Sequence, residues 1–311
     1  MKYTRFIFLL FVFLLFSLLQ AEQFYQVRGT NISFNCVGQD IKYAQFLLRR
    51  VDARISNFQE GVGFYPDQVL QVVIAPDKSF YERIAKQLGP IGEQSQALFT
   101  SKHNIVYIRS PRDGTAFQGI ENTILHEYIH FFVSSSYDDA PLWFHEGMAV
   151  YFSGQYNWEM GYTLAKSYLM GSELPLSKMD SYPESRLEWS AFYAKSAMAV
   201  RYLSMQYKEQ FTRFWQLSDK HIPFSTAFYR AFFHTLNGFY VEADSAIKRE
   251  MVGYMILVIT GLVWALLPIV LIYGYYRRRP SPTPEDDDFE KEAIEKGEDY
   301  WNQEDEEESK I

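Results

Sequence analysis

Residues Met251 to Tyr273 form a run of 23 residues without a charged side chain. At about 1.5 Å of rise per residue, a helix of that length crosses a hydrocarbon core of about 30 Å. A helix that is apolar on every side cannot lie on the surface of a water-soluble domain, so this run limits what the rest of the chain can be. Trp264 and the tyrosines Tyr254, Tyr273, Tyr275 and Tyr276 suit the interfacial layers, and Arg277, Arg278 and Arg279 mark the cytoplasmic end. A transmembrane helix over 251–276 therefore divides a long external part from a short internal tail.

A second apolar run, Phe6 to Leu19, follows Lys2 and Arg5 and ends at Gln20-Ala21. This is the pattern of a secretory signal peptide over 1–21; the absence of a small-x-small site leaves an uncleaved anchor as the alternative. Residues 22–250 then lie outside the cytoplasm and residues 277–311 inside. Arg277 to Ile311 carry 14 acids and 6 bases, which accounts for the whole net charge of −8. Such a self-repelling segment is expected to be disordered, with Pro280-Ser-Pro-Thr-Pro as a stiff spacer and Tyr300-Trp301 as a possible dock for a cytoplasmic partner. The rest of the chain is charge-balanced and offers no basic face, so no nucleic-acid partner is expected. Cys36 is the only cysteine, which excludes an intramolecular disulfide. These features fit a bacterial inner-membrane protein facing the periplasm. Asn31-Ile32-Ser33 matches a glycosylation acceptor, a pattern common by chance.

In the external part, apolar residues at Ile41, Ala44, Leu47, Leu48, Val51 and Ile55 predict a helix over Asp40–Asn57. Val69–Ala75 and Asn104–Ile108 read as strands, separated by a helix that Asp77 starts and Gly89-Pro90 stops. Helices are then predicted over Phe117–Ser134, Pro141–Phe152, Trp158–Met170, Trp189–Gln206, Lys208–Leu217, Pro223–Thr235 and Val241–Glu250. The order is α+β: a small N-terminal α/β part with a short sheet, then a mainly helical part, with the C-terminal transmembrane helix added.

One pattern carries chemistry. Residues 126–130 read His-Glu-Tyr-Ile-His, inside an apolar segment from Thr123 to Val133. On a helix His126 and His130 share one face, within reach of one Zn²⁺, and Glu127 can stand beside the open coordination position. The next helix is apolar apart from His145 and Glu146, and the small Gly147 and Ala149 allow it to pack close. Glu146 is a suitable third ligand, with His145, Asp138 and Asp139 as competitors.

At these residues the sequence resembles the gluzincin metallopeptidases, nearest to the peptidase MA-like group. His126-Glu-x-x-His130 with Leu142-Trp143-Phe144-His145-Glu146-Gly147-Met148-Ala149 carries the resemblance, and Tyr193-Ala-Lys-Ser-Ala-Met-Ala-Val-Arg-Tyr-Leu is similar to the family's later helix. It covers about residues 68–248 of the chain. The resemblance implies a zincin-like metallopeptidase domain over 22–250, zinc as cofactor, His126, His130 and Glu146 as ligands, Glu127 as general base and Tyr193 as oxyanion donor. His103, Tyr128 and Tyr202 are alternatives for that last role. The gap between His130 and Glu146 is shorter than in thermolysin-like or aminopeptidase members, and His145 stands where other residues are common.

The expected function is a membrane-anchored zinc-dependent peptidase that hydrolyses peptide or protein substrates with zinc-activated water and Glu127 as base. The alternative is a catalytically inactive zinc-holding scaffold. Two further classes are weaker: an intramembrane protease would need the motif within a span, and an envelope protein with incidental zinc has only the aromatic content in its favour. Asn104–Ile108, which precedes the zinc helix, is expected to offer a free edge to an extended peptide. Asn122 stands four residues before His126, a spacing at which it could support that ring, while Glu121 is in poor register for the task.

Overall fold

A computed structural model describes residues 23–87, 96–100, 104–113, 119–185, 188–218, 222–278, 291–292 and 294–296. The signal-peptide segment 1–21 and most of the acidic tail fall outside these residues. The fold is α+β: a five-stranded sheet, a mostly helical body and one long apolar C-terminal helix.

The sheet has the order β1-β2-β3-β5-β4. Strands β1 (Phe24–Arg28) and β2 (Ile32–Val37) form an antiparallel pair. β2 runs parallel to β3 (Leu70–Ile74), which puts Phe34 opposite Val72. The crossover between them is helix α1 (Ile41–Val62), whose buried Ala44, Leu47, Val51, Ile55 and Phe58 recur at three- and four-residue spacing. Helix α2 (Lys78–Gln87) follows β3, and Asp77 accepts a hydrogen bond from the Phe80 N–H of its first turn at 2.8 Å. β4 (Ala97–Thr100) and β5 (Ile105–Ile108) are antiparallel, and β5 also pairs parallel with β3.

The expectation of a free edge on Asn104–Ile108 is thereby corrected. β5 is bonded on both sides, and β4 stands outside it at that end of the sheet. β4 lacks the β-branched run that marks β5, and the polar residues of β1 and β2 likewise hide them in the sequence. Asn31 is committed structurally: its side-chain amide donates to Asp52 at 3.1 Å and to Ser56 at 2.9 Å.

The helical body comprises α3 (Ile120–Ser136), α4 (Leu142–Phe152), α5 (Trp158–Met170), α6 (Trp189–Gln206), α7 (Lys208–Gln216) and α8 (Phe224–Phe232). These agree with the predicted helices to within a few residues at each end. α4 and α6 cross at Gly147, where a Cβ would stand 2.3 Å from the Ser196 carbonyl oxygen, so the close approach requires glycine. An aromatic core supports them. Phe224 lies 4.9 Å from Phe144 and 5.4 Å from Phe214 between ring centroids. The buried Trp143 indole donates to the Tyr240 hydroxyl at 3.2 Å.

Val241–Glu250 and the apolar run, expected as two helices, belong to one element, α9 (Leu236–Arg278, 43 residues). The chain divides at Met255 into two compact units. Within the first, α9 buries Phe239, Ala243, Ile247 and Met251, one per turn. The second unit holds the apolar part, long and apolar enough to cross a membrane, with Leu262, Val263, Trp264, Ile269, Val270 and Leu271 all exposed.

Candidate metal centre

Helix α3 is buried because nearly every residue from Ile124 to Val133 is apolar. Its exceptions, His126, Glu127 and His130, open towards one side. The two imidazoles stand edge to face with centroids 4.7 Å apart, and their Nε2 atoms are 3.1 Å apart. Helix α4 brings Glu146 to the same point, with Oε2 3.7 Å from the Nε2 atom of each histidine. A point equidistant from the three donor atoms lies about 2.0 Å from each, the distance at which zinc holds imidazole nitrogen and carboxylate oxygen. His126, His130 and Glu146 thus form a group that can hold a metal ion.

The electrostatics agree with the geometry. Burial lowers His126 to about 4, helped by His130 and opposed by Glu146 and by the nearby Gln155 side chain. Burial, with His145 nearby, lowers His130 to about 3. Both rings are therefore neutral, the form that binds a metal. Burial raises Glu146 above the usual carboxylate range, against the pull of His126 and of a hydrogen bond from Tyr182. Its Oε2 is buried with no hydrogen-bond partner among the described residues. An unmatched carboxylate oxygen facing two neutral imidazole nitrogens is costly without a cation and well satisfied by one.

Glu127, one residue after the first histidine, is buried beside this group. Burial, then the charge of Glu146, raises it to about 8, while the backbone N–H of Phe99 on β4 pulls it down. The edge strand of the sheet is therefore adjacent to the site. Tyr182 donates a hydrogen bond to Glu146 Oε1, leaving Oε2 to face the histidines. Tyr193 hydrogen-bonds Tyr182, with ring centroids 6.3 Å apart, and the charges of Glu146 and Glu127 add to the burial that raises its hydroxyl.

Tyr182 had escaped the sequence analysis. It sits on the irregular segment between α5 and α6, carries no periodic signal, and is one of 23 tyrosines. The other candidates are engaged elsewhere. Asp139 accepts from the Phe224 N–H at 2.9 Å, and Asp138 is exposed. His145 stacks near His130, centroids 5.9 Å apart, outside the group of three. Tyr128 is pinned by Gln59 at 2.7 Å, and Tyr202 donates to Glu242 at 2.6 Å. Glu121 pairs with Arg50 at 2.6 Å and Asn122 accepts from Arg54 at 2.7 Å, so neither supports the His126 ring, whose Nδ1 is buried with no hydrogen-bond partner among the described residues. His103 lies outside the described residues.

No family model matches the sequence, and no curated protein matches it either. Among solved structures, a two-domain M1 zinc metallopeptidase mutant bound to the amino acid L-tryptophan is similar at 17% identity and a TM-score of 0.38. The alignment covers 75% of this chain and 51% of that one, so the chain spans about half the length of the solved structure.

Proposed function

We propose that this chain is a membrane-anchored zinc peptidase whose catalytic domain lies outside the cytoplasm. The observation that carries the proposal is the convergence of His126, His130 and Glu146 at zinc-ligand spacing with Glu127 beside them. The resemblance of His126–His130 and Leu142–Ala149 to gluzincin motifs supports the same reaction class. A bound zinc ion supplies Lewis acidity, polarising the scissile carbonyl and lowering the pKa of water towards neutrality.

The residues of the chain do the rest. His126 and His130 supply neutral nitrogen donors and Glu146 the charged oxygen, steered by Tyr182. Glu127 takes a proton from the attacking water at its carboxylate and delivers it to the leaving amine nitrogen. Tyr193 is assigned the hydrogen bond to the developing oxyanion. An extended substrate would lie along β4 rather than β5, since β4 ends the sheet among the described residues and its Phe99 N–H reaches Glu127. Residues 251–276 are the anchor, and the acidic tail at 277–311 is on the cytoplasmic side of a bacterial inner membrane.

Peptide hydrolysis by the full chain tests this. Glu127→Gln is expected to lower kcat by a factor on the order of 10²–10⁴ while zinc stays bound. Zinc binding with no hydrolysis by either protein would instead indicate the inactive scaffold.

A further inference from the structure

Between α5 and α6 the described backbone is irregular apart from a 3-10 turn at Leu176–Lys178, so no ladder of backbone bonds places it. Bonds to other elements place it instead. Lys195 of α6 donates to the Leu174 carbonyl, and the Leu176 N–H donates to Asp244 of α9 at 3.2 Å. Lys195 and Asp244 are themselves paired, Nζ to Oδ1, at 2.8 Å. At the far end of the turn, the Trp143 N–H of α4 donates to the Met179 carbonyl at 3.2 Å. All of these groups belong to the first compact unit. Tyr182, whose hydroxyl bonds Glu146, follows Met179 by three residues, and Trp143 precedes Glu146 by three on α4. The segment is thus fastened to the ion pair at one end and to a ligand-bearing helix at the other.

The Lys195 side chain is 3% exposed. An ammonium buried to that degree costs more than an apolar side chain of the same length. Burial pushes it below the usual lysine range, while Asp244 and Glu173 hold it up against that. What it supplies and a methionine would not is direction. Its N–H donors reach a carbonyl and a carboxylate at once, and Nζ stands 5.6 Å over the Tyr168 ring of α5. We infer that Lys195 and Asp244 are positioning residues of the metal centre: they fix Leu174 and Leu176, the segment carries that placement to Tyr182, and Tyr182 turns Glu146 so that Oε2 faces the two histidines. This rests on the reading of His126, His130 and Glu146 as metal ligands.

The test is the zinc affinity of the detergent-solubilised full chain, titrated in competition with a chelator. Lys195→Met, Asp244→Ala and Tyr182→Phe are measured singly, and each of the first two is also combined with Tyr182→Phe. Asp244→Ala keeps the measurement open where Lys195→Met does not fold. Alanine suits a helix, and a cavity of about 280 Å³ beside the pair lets water replace the carboxylate. Lys195→Met and Asp244→Ala are each expected to weaken zinc binding about 3- to 10-fold, less than the loss on removing Tyr182, which touches a ligand directly. In the Tyr182→Phe background each is expected to weaken it by less than about twofold, because the route it acts through is already cut. Unchanged affinity in the folded single variants overturns the inference and leaves the metal centre standing. An equal loss with and without the Tyr182 hydroxyl also overturns it, since a general effect on the fold would act in both backgrounds. A folded wild-type chain that binds no zinc overturns the metal centre, and this inference with it.

Discussion

Two helical stretches of this chain are overwhelmingly apolar, and they are accommodated in opposite ways. Between Ile120 and Phe152, helices α3 and α4 are enclosed by protein: Ile124, Ile129, Phe132, Phe144 and Met148 are fully buried. From Ile256 to Tyr276, α9 has side chains of the same chemistry, and almost all are exposed. The enclosed stretch carries His126, Glu127, His130 and Glu146 at its centre; the exposed one carries no charge before Arg277. Where protein supplies the apolar surroundings, a polar group left inside needs a partner, and here three such groups converge on one point with Glu127 buried beside them. Where protein does not cover the apolar face, a hydrocarbon phase is the surrounding that suits it.

Placing one arginine in each stretch tests this contrast directly. Ile129→Arg is expected to unfold the external domain, with a loss above about 4 kcal/mol because the charge has no partner and no water. Circular dichroism and limited proteolysis of the detergent-solubilised chain would show it; a native-like melting curve would mean that α3 is not enclosed. Leu262→Arg has a different target. It is expected to cost about 2.5–3.5 kcal/mol of membrane insertion while the external domain melts as before. Flotation with membranes measures the first part and thermal unfolding the second. Unchanged flotation would remove 256–276 from the bilayer.

The smallest effect concerns the polar island. Tyr182→Phe keeps the ring between Trp189 and Phe192 but removes the hydroxyl that orients Glu146. Metal affinity is expected to fall about 10- to 100-fold, as it does when other groups that orient ligands are removed. An unchanged affinity in a competition titration with a chelator would show that Glu146 needs no such support.

The same contrast explains how much could be read from the sequence. Helices show a period of 3.6 over many residues, so α1 and α3 to α8 were legible with small errors at their ends. His126-x-x-x-His130 was legible because one turn of helix fixes both donors, and Glu146 because a carboxylate among Trp143, Phe144 and Met148 has no packing purpose. Strands β1, β2 and β4 are short, and pairing between distant segments decides their place; the edge of the sheet was therefore assigned to β5 instead of β4. Tyr182 reaches Glu146 from 36 positions away through a segment without regular structure, a contact that local pattern does not encode. The continuity of α9 was hidden by its change of surroundings, since an amphipathic stripe before Met255 and a uniformly apolar stretch after it read as separate elements.

The central claim is that α3 and α4 together hold one metal ion. Metal content of the purified full chain, measured beside His126→Ala and Glu146→Ala, tests it most directly. About one zinc per chain is expected in the wild type, falling to near zero in both variants while their circular dichroism stays helical. Zinc retained in full by Glu146→Ala, or absent from a folded wild type after growth with zinc, would contradict it.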